Sequence, residues 1–316
     1  IDGKSSVNFH LQGGSYIDGK YKVEEDLNWL LKKFSGLDLS SLKIALDTAH
    51  GAAWEIAPRL LTELNASVIQ IGSSPNGLNI NQGCGSLHLN KLKKLVLSKQ
   101  CDFGFAFDGD ADRCLAVSGE GSLLDGDDLL GILATQTSGS KKKKGSKPLV
   151  GTVMTNGGLE LFLKGIGIRL LRTPVGDKYV TAKMKKTGAS LGGETSGHIV
   201  ISKYRFTGDG CLTMLAVLDA LSKKDYNLDS CLNSYEPWPQ ILINVKVNEK
   251  ISFVEVPRIQ METQNVEKEL AGEGRLLLRY SGTEPVARVM VEGKSKQKIG
   301  KAARFLAKVI QEELGA

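Results

Sequence analysis

The stretch Phe103–Val117, FGFAFDGDADRCLAV, constrains this chain more than any other. Its first apolar run, Phe103 to Phe107, reads as a strand buried on both faces, and Cys114–Val117 reads as the strand that returns beside it. Between them Asp108, Asp110 and Asp112 alternate with Gly109 and Ala111, and Arg113 follows. Three anions at the end of a buried strand repel one another unless a cation or hydrogen-bond donors offset them. Hard oxygen donors without His or Cys suit Mg²⁺, which takes a few carboxylates and leaves positions for phosphate or water.

Three other readings of the same residues stand beside this one. An acidic β-turn with Asp-Gly chemistry needs no ligand. An EF-hand requires Gly at its sixth position and Glu at its twelfth, and counting from Asp108 those places hold Arg113 and Gly119, which excludes it. An aspartyl phosphatase of the haloacid dehalogenase type also sets alternate aspartates after an apolar strand, with Asp108 as nucleophile. It usually has Thr or Val where this chain has Asp112, which weakens that reading.

At 316 residues the chain has material for two or three cores. A net charge of +6 fits anionic substrates but is too small and scattered to argue for nucleic acid. The dense block Lys141–Lys144 lies between Gly and Ser and reads as a solvated loop. The 5 cysteines form no CxxC pair, so a reducing compartment, the cytoplasm, and no structural zinc are expected. No apolar run approaches a membrane span.

Residues 1–20 read as a linker, the remnant of a preceding domain. Residues 21–137 then follow as one α/β unit: helix, strand, helix, strand, a turn-rich loop, a third helix and the acid loop. Asp125-Gly126-Asp127-Asp128 reads as the cap of the helix that precedes the lysine-rich segment. After that segment the alternation restarts, giving a second α/β unit over 138–238. Residues 239–316 hold a strictly alternating strand, a helix opened by Pro257, a hairpin around Ser281-Gly282-Thr283-Glu284-Pro285 and an amphipathic terminal helix, hence a small α+β unit.

Three more polar loops carry candidate chemistry. In Gly192–His198, Glu194 accepts, Ser196 both donates and accepts, and His198 can carry a proton near neutral pH, a set suited to sugar hydroxyls. Arg279, Ser281, Gly282 and Thr283, with Arg288 beyond, supply guanidiniums, hydroxyls and backbone for a phosphate cradle. The sequence matches neither Walker A nor GxGxxG. In Gly176-Asp177-Lys178-Tyr179, Asp177 reads as the cap of the next helix and Lys178 as a side chain able to reach an anion. The other histidines, His10, His50 and His88, have no partner at ligand spacing and are read as structural.

These four loops, in this order, resemble the α-D-phosphohexomutase superfamily over residues 20 to 316. The stretches Pro75–Asn81, Cys84-Gly85-Ser86 and Gly176–Tyr179 resemble its amino-sugar branch, which interconverts glucosamine 6-phosphate and glucosamine 1-phosphate. The resemblance implies two consecutive α/β sheet domains of phosphohexomutase type followed by the α+β C-terminal domain. It implies a phosphoserine in a preceding first domain, a bisphosphate intermediate, one Mg²⁺ per chain on Asp108, Asp110 and Asp112, and a hexose bisphosphate activator. Arg113, His198 and Lys178 would serve the transfer. Asp177, Glu194 and Ser196 would bind the sugar, and Arg279, Ser281, Gly282, Thr283 and Arg288 the resting phosphate. The implied partners are the sugar phosphate and the first domain, with no nucleic acid and no membrane; a homodimer is one assembly the resemblance allows.

Two departures accompany it. Nothing here matches the family's Thr-Ala-Ser-His-Asn-Pro serine loop; Ser5, Ser6 and Ser15 lack that context, so the sequence is expected to begin near the end of the first domain and to be inactive alone. A non-catalytic sugar-phosphate binder stays open on the same ground. Tyr280 stands where this branch commonly has Pro.

Overall fold

The computed structural model describes residues 19–137, 147–232 and 235–316. The leading serines and the Lys141–Lys144 block lie outside the described residues. Leu27, Leu30 and Phe34 share one buried face, and the chain there folds into α1 (Lys20–Lys33), with Lys32 and Lys33 at the negative end of its dipole. Next come β1 (Lys43–Asp47), α2 (Ala53–Glu63), β2 (Ser67–Ile71), α3 (Asn90–Lys99), β3 (Phe103–Phe107), β4 (Cys114–Ser118) and the short β5 (Leu123–Leu124). They form one sheet in the order β2-β1-β3-β4-β5, parallel through β3 and antiparallel beyond it. All of β3 is buried, as its unbroken apolar run requires, and Phe107 pairs with Cys114 across the acid loop.

After β5 come α4 (Gly126–Thr137), β6 (Leu149–Thr152), α5 (Gly157–Gly165), β7 (Leu170–Thr173), α6 (Asp177–Thr187), β8 (Leu191–Gly193), β9 (Ile199–Ile201), α7 (Gly210–Ser222) and α8 (Leu228–Leu232). The second sheet runs β7-β6-β8-β9, parallel except at β9. The sequence reading places a boundary at 137/138. In the structure α4 packs chiefly on α7, β8 and α5, so it belongs with the second sheet. The lysine-rich segment interrupts sequence without separating cores. Leu30, Phe105, Leu130 and Leu215 belong to one continuous apolar cluster shared by both sheets.

The third unit comprises β10 (Gln240–Lys246), a 3₁₀ turn at Phe253–Glu255, α9 (Pro257–Leu270), β11 (Gly274–Tyr280), β12 (Val286–Gly293) and α10 (Lys296–Leu314). Pro257 occupies the first turn of α9, where its missing N–H costs nothing. Strand β12 lies between β10 and β11, antiparallel to both, and α10 covers β10 and β12. Val245, Ile259, Val289 and Ile310 form this unit's own core.

Candidate active site

The acid loop is held by its backbone on several sides. Ser86 N–H donates to the Phe107 carbonyl at 2.8 Å, Ala52 N–H to the Gly109 carbonyl at 2.8 Å, and Gly210 N–H to the Ala111 carbonyl at 2.8 Å. Ala111 takes φ +61°, and the neighbouring loops carry three more left-handed non-glycine residues, Ala49, His50 and Asn81. Such residues persist only where the surroundings over-determine them. Buried Asp47 accepts from Ala49 N–H and Gly85 N–H, which fixes those loops against the strand ends.

So held, Asp108, Asp110 and Asp112 each present an oxygen within 4.8 Å of the others. Burial, then the charges of Asp112 and Asp110, push the Asp108 carboxyl up to about 6, against a bond from Arg113 N–H that opposes the rise. The only guanidinium drawn into this cluster among the described residues is Arg113, whose Nε lies 3.3 Å from Asp108 and 3.6 Å from Asp112. Three carboxylates of graded exposure and no softer donor form the oxygen set that a hard divalent cation takes.

The Glu194 loop abuts the acid loop directly. Arg113 and His198 form an antiparallel bridge, and Cys114 N–H donates to the Gly197 carbonyl at 3.1 Å. Gly197, at φ +91°, turns the chain back under the cluster. His198 is 6% exposed, and its Nε2 lies 3.6 Å from Asp112. A side chain at Gly208 would occupy the ring's place. His198 is thus placed beneath Asp112 rather than in the open loop that its position among polar residues implies. Glu194 Oε1 accepts from Gly176 N–H at 2.7 Å, and Ser196 Oγ lies 3.4 Å from Glu194 Oε2, so this loop and the Gly176–Tyr179 loop are joined.

Gly176, at φ +131°, occupies the N-cap of α6 and Asp177 the first helical position, which corrects the expectation that Asp177 caps the helix. Glycine is needed there by the backbone turn, and the acid still favours the positive end of the dipole. Lys178 is exposed, with Nζ 5.0 Å above the Tyr179 ring.

The Arg279 loop sits on the third unit. Arg279 and Arg288 are cross-strand partners. Arg288 Nη2 reaches Ser281 Oγ at 3.4 Å, and Ser281 N–H closes the turn on the Val286 carbonyl. Lys250 donates to the Ser281 carbonyl at 2.8 Å, adding a cation the sequence reading did not single out. Gly282 and Thr283 are exposed at the tip. The first three loops therefore touch, whereas among the described residues no hydrogen bond or ion pair joins the Arg279 loop to them.

Sequence reasoning also missed what binds the units. Asp127, read only as part of a cap, instead accepts from Asn156 N–H at 2.7 Å and Thr195 Oγ1 at 3.2 Å. Asp125 and Asp128 do the capping, Asp125 accepting from the N–H groups of Asp127 and Asp128 while Asp128 accepts from that of Asp125. Glu292, fully buried, accepts from Gly157 N–H at 2.8 Å and pairs with Arg275. A carboxylate directly after the apolar run Val289–Val291 was the available signal.

Comparison with known proteins follows the same divisions. Residues 24–121 match the phosphoglucomutase/phosphomannomutase alpha/beta/alpha domain II, 125–238 domain III, and 242–309 the C-terminal domain. The chain is 45% identical over 278 residues to the phosphoglucosamine mutase of Desulfovibrio desulfuricans, covering 88% of this chain and 62% of that protein. It therefore spans about 62% of the length of such a relative. Among solved structures, a phosphoglucomutase/phosphomannomutase family protein from Burkholderia thailandensis superposes with TM-score 0.75 at 21% identity, over 92% of this chain and 66% of the other. The N-acetylphosphoglucosamine mutase of Aspergillus fumigatus, in complex with GlcNAc-6P and magnesium, gives 0.74 at 20% identity, over 92% and 69%. At such identities the superpositions establish the shared fold. Among the described residues no helix is long and apolar enough to cross a membrane.

Proposed function

Because the chain belongs to the phosphoglucomutase/phosphomannomutase family, we propose that it supplies the metal, sugar and phosphate sites of a phosphoglucosamine mutase, an isomerase of glucosamine 6-phosphate and glucosamine 1-phosphate. The observation that carries this reading is the Arg113–His198 bridge, which sets the acid cluster against the sugar loop. Asp108, Asp110 and Asp112 would hold one Mg²⁺; when bound, it supplies positive charge to a phosphoryl group in transfer. Arg113, already turned toward two of those carboxylates, lends the same site a guanidinium for phosphoryl oxygens.

Glu194 has one oxygen committed to Gly176 N–H, which orients the other, beside Ser196, for sugar hydroxyls. His198 steadies Asp112 from beneath, a positioning role rather than contact with the sugar. Lys178, exposed and joined to this loop through Gly176, offers an ammonium to substrate phosphate; Asp177 at the helix start stands beside it. Arg279, Ser281, Gly282, Thr283 and Arg288 would fix the phosphate that does not react. Phosphoryl transfer is served mainly by positioning and charge neutralisation, and these side chains are of that kind. The phosphoryl donor would be a phosphoserine outside residues 19–316, with a hexose bisphosphate as activator.

The test is conversion of glucosamine 6-phosphate by this chain joined to a family serine-bearing domain, with hexose bisphosphate and Mg²⁺ present. Production of glucosamine 1-phosphate, lost in Arg279→Ala/Arg288→Ala, is expected. Absence of conversion, or Asp108-dependent release of inorganic phosphate, would overturn the reading. A preference for the 2-amino sugar over glucose 6-phosphate rests on about one hydrogen bond or charge, on the order of 1–3 kcal/mol.

A further inference from the structure

The second and third sheets are tied together by a partly buried polar chain away from the reacting groups. It starts at the sugar loop, where Thr195 donates its hydroxyl to Asp127 and Gly126 N–H donates to the Thr195 carbonyl at 3.0 Å. Asp127 passes to the start of α5 by accepting from Asn156 N–H. Asn156 holds the linker, its side chain exchanging hydrogen bonds with both backbone groups of Trp238. One residue on, Gly157 N–H donates to Glu292 of β12, and Arg275 of β11 bonds both Glu292 and the Thr155 carbonyl. The site is tightly filled: a side chain at Gly157 would meet the Trp238 ring at 2.5 Å, and one at Gly158 the Glu236 carbonyl at 2.1 Å.

The position of these groups on the hairpin gives them their reach. Arg275 and Glu292 are paired across β11 and β12, toward one end of the strands that carry Arg279 and Arg288 toward the other. A hairpin fastened at that end is aimed at the other. Asp127 Oδ1 and Glu292 Oε2 are buried with no hydrogen-bond partner, although each residue's other oxygen is doubly engaged. Buried carboxyl oxygens without a hydrogen-bond partner cost stability, so the arrangement is not explained by stability alone.

We propose that Thr195, Asp127 and Glu292 are positioning residues that set the sugar loop and the Arg279 loop at the spacing one hexose phosphate requires. This deepens the reading of the site given above and rests on it. A ligand that spans both loops feels the coupling; one that occupies only the phosphate cradle does not. The carboxylates act through loop placement and touch neither sugar nor phosphate.

The test compares glucosamine 6-phosphate with inorganic phosphate by calorimetric titration of the chain, with Mg²⁺ present. Wild type is expected to bind the sugar phosphate more tightly than phosphate. Thr195→Val and Glu292→Ala are expected to weaken glucosamine 6-phosphate about tenfold and to leave phosphate within about twofold. Thr195→Ser and Glu292→Gln keep the donor or acceptor and are expected to restore the wild-type ratio. Thr195 is only half-buried, so its pair of variants reports even if Glu292→Ala does not fold. Equal losses for both ligands, or no loss in Thr195→Val, would overturn the positioning role alone. A wild type that binds both ligands equally would overturn the functional reading together with it.

Discussion

Arg279 and Arg288 stand directly opposite each other on β11 and β12. Like charges in that relation repel, and burial followed by the Arg288 charge lowers the pKa of Arg279. An anion between them relieves both costs. A phosphate-bearing ligand at about a hundred times its dissociation constant is expected to stabilise the protein by about 2.7 kcal/mol. Thermal melts with glucosamine 6-phosphate should show that gain in wild type. Arg288→Ala should lose it without lowering the melting temperature of the free protein.

The acid loop has no room to move away from its neighbours. A Cβ at Gly51 would lie 2.2 Å from the Gly109 carbonyl oxygen, which is backbone already bonded to Ala52 N–H. Gly51→Ala is therefore expected to cost about 1–3 kcal/mol in denaturant unfolding and to weaken Mg²⁺ binding as well. Gly282→Ala, at a loop tip with open space around it, provides the neutral control.

Asp127 gives a pH dependence of definite sign. Burial, then the charge of Asp125, raises its carboxyl from 3.8 to about 7, so the folded state holds a proton that the unfolded chain releases. Its contribution is complete below about 3.8 and is lost as pH rises through about 7. The span corresponds to on the order of 4 kcal/mol at most. Asp127→Asn keeps an acceptor for Asn156 and Thr195. The stability difference between variant and wild type should grow in the variant's favour from pH 4 to 8, measured by urea unfolding at each pH.

Tyr280 anchors the end of β11 to the segment before α9. Its hydroxyl donates to the Ile251 carbonyl at 2.5 Å, and its ring stacks on Phe253 with centroids 4.3 Å apart. Tyr280→Phe keeps the stack and loses the hydrogen bond. A loss of about 1 kcal/mol in unfolding free energy is expected, with phosphate affinity unchanged.

Elements set by local pattern were legible in the sequence. The buried run Phe103–Phe107 and Pro257 opening α9 both follow from near neighbours. What depended on distant residues was not. The lysine-rich segment suggested a boundary, but α4 is placed by the apolar faces of α7, β8 and α5. Asp127 looked like part of a cap and Glu292 drew no notice, because their partners, Thr195 and Gly157, are 68 and 135 residues away. The burial of His198 depends on Gly208 leaving space for its ring, a contact no spacing rule carries.

The metal centre is tested most directly by calorimetric titration of Mg²⁺ into the chain with phosphoserine present, alongside Asp110→Asn/Asp112→Asn. Those side chains are exposed and half-buried, so the double variant should keep the wild-type circular dichroism spectrum. A single saturable site in wild type that disappears in the variant is the expected result. No heat in wild type, or an equal isotherm in the two proteins, would contradict a divalent cation held by Asp108, Asp110 and Asp112.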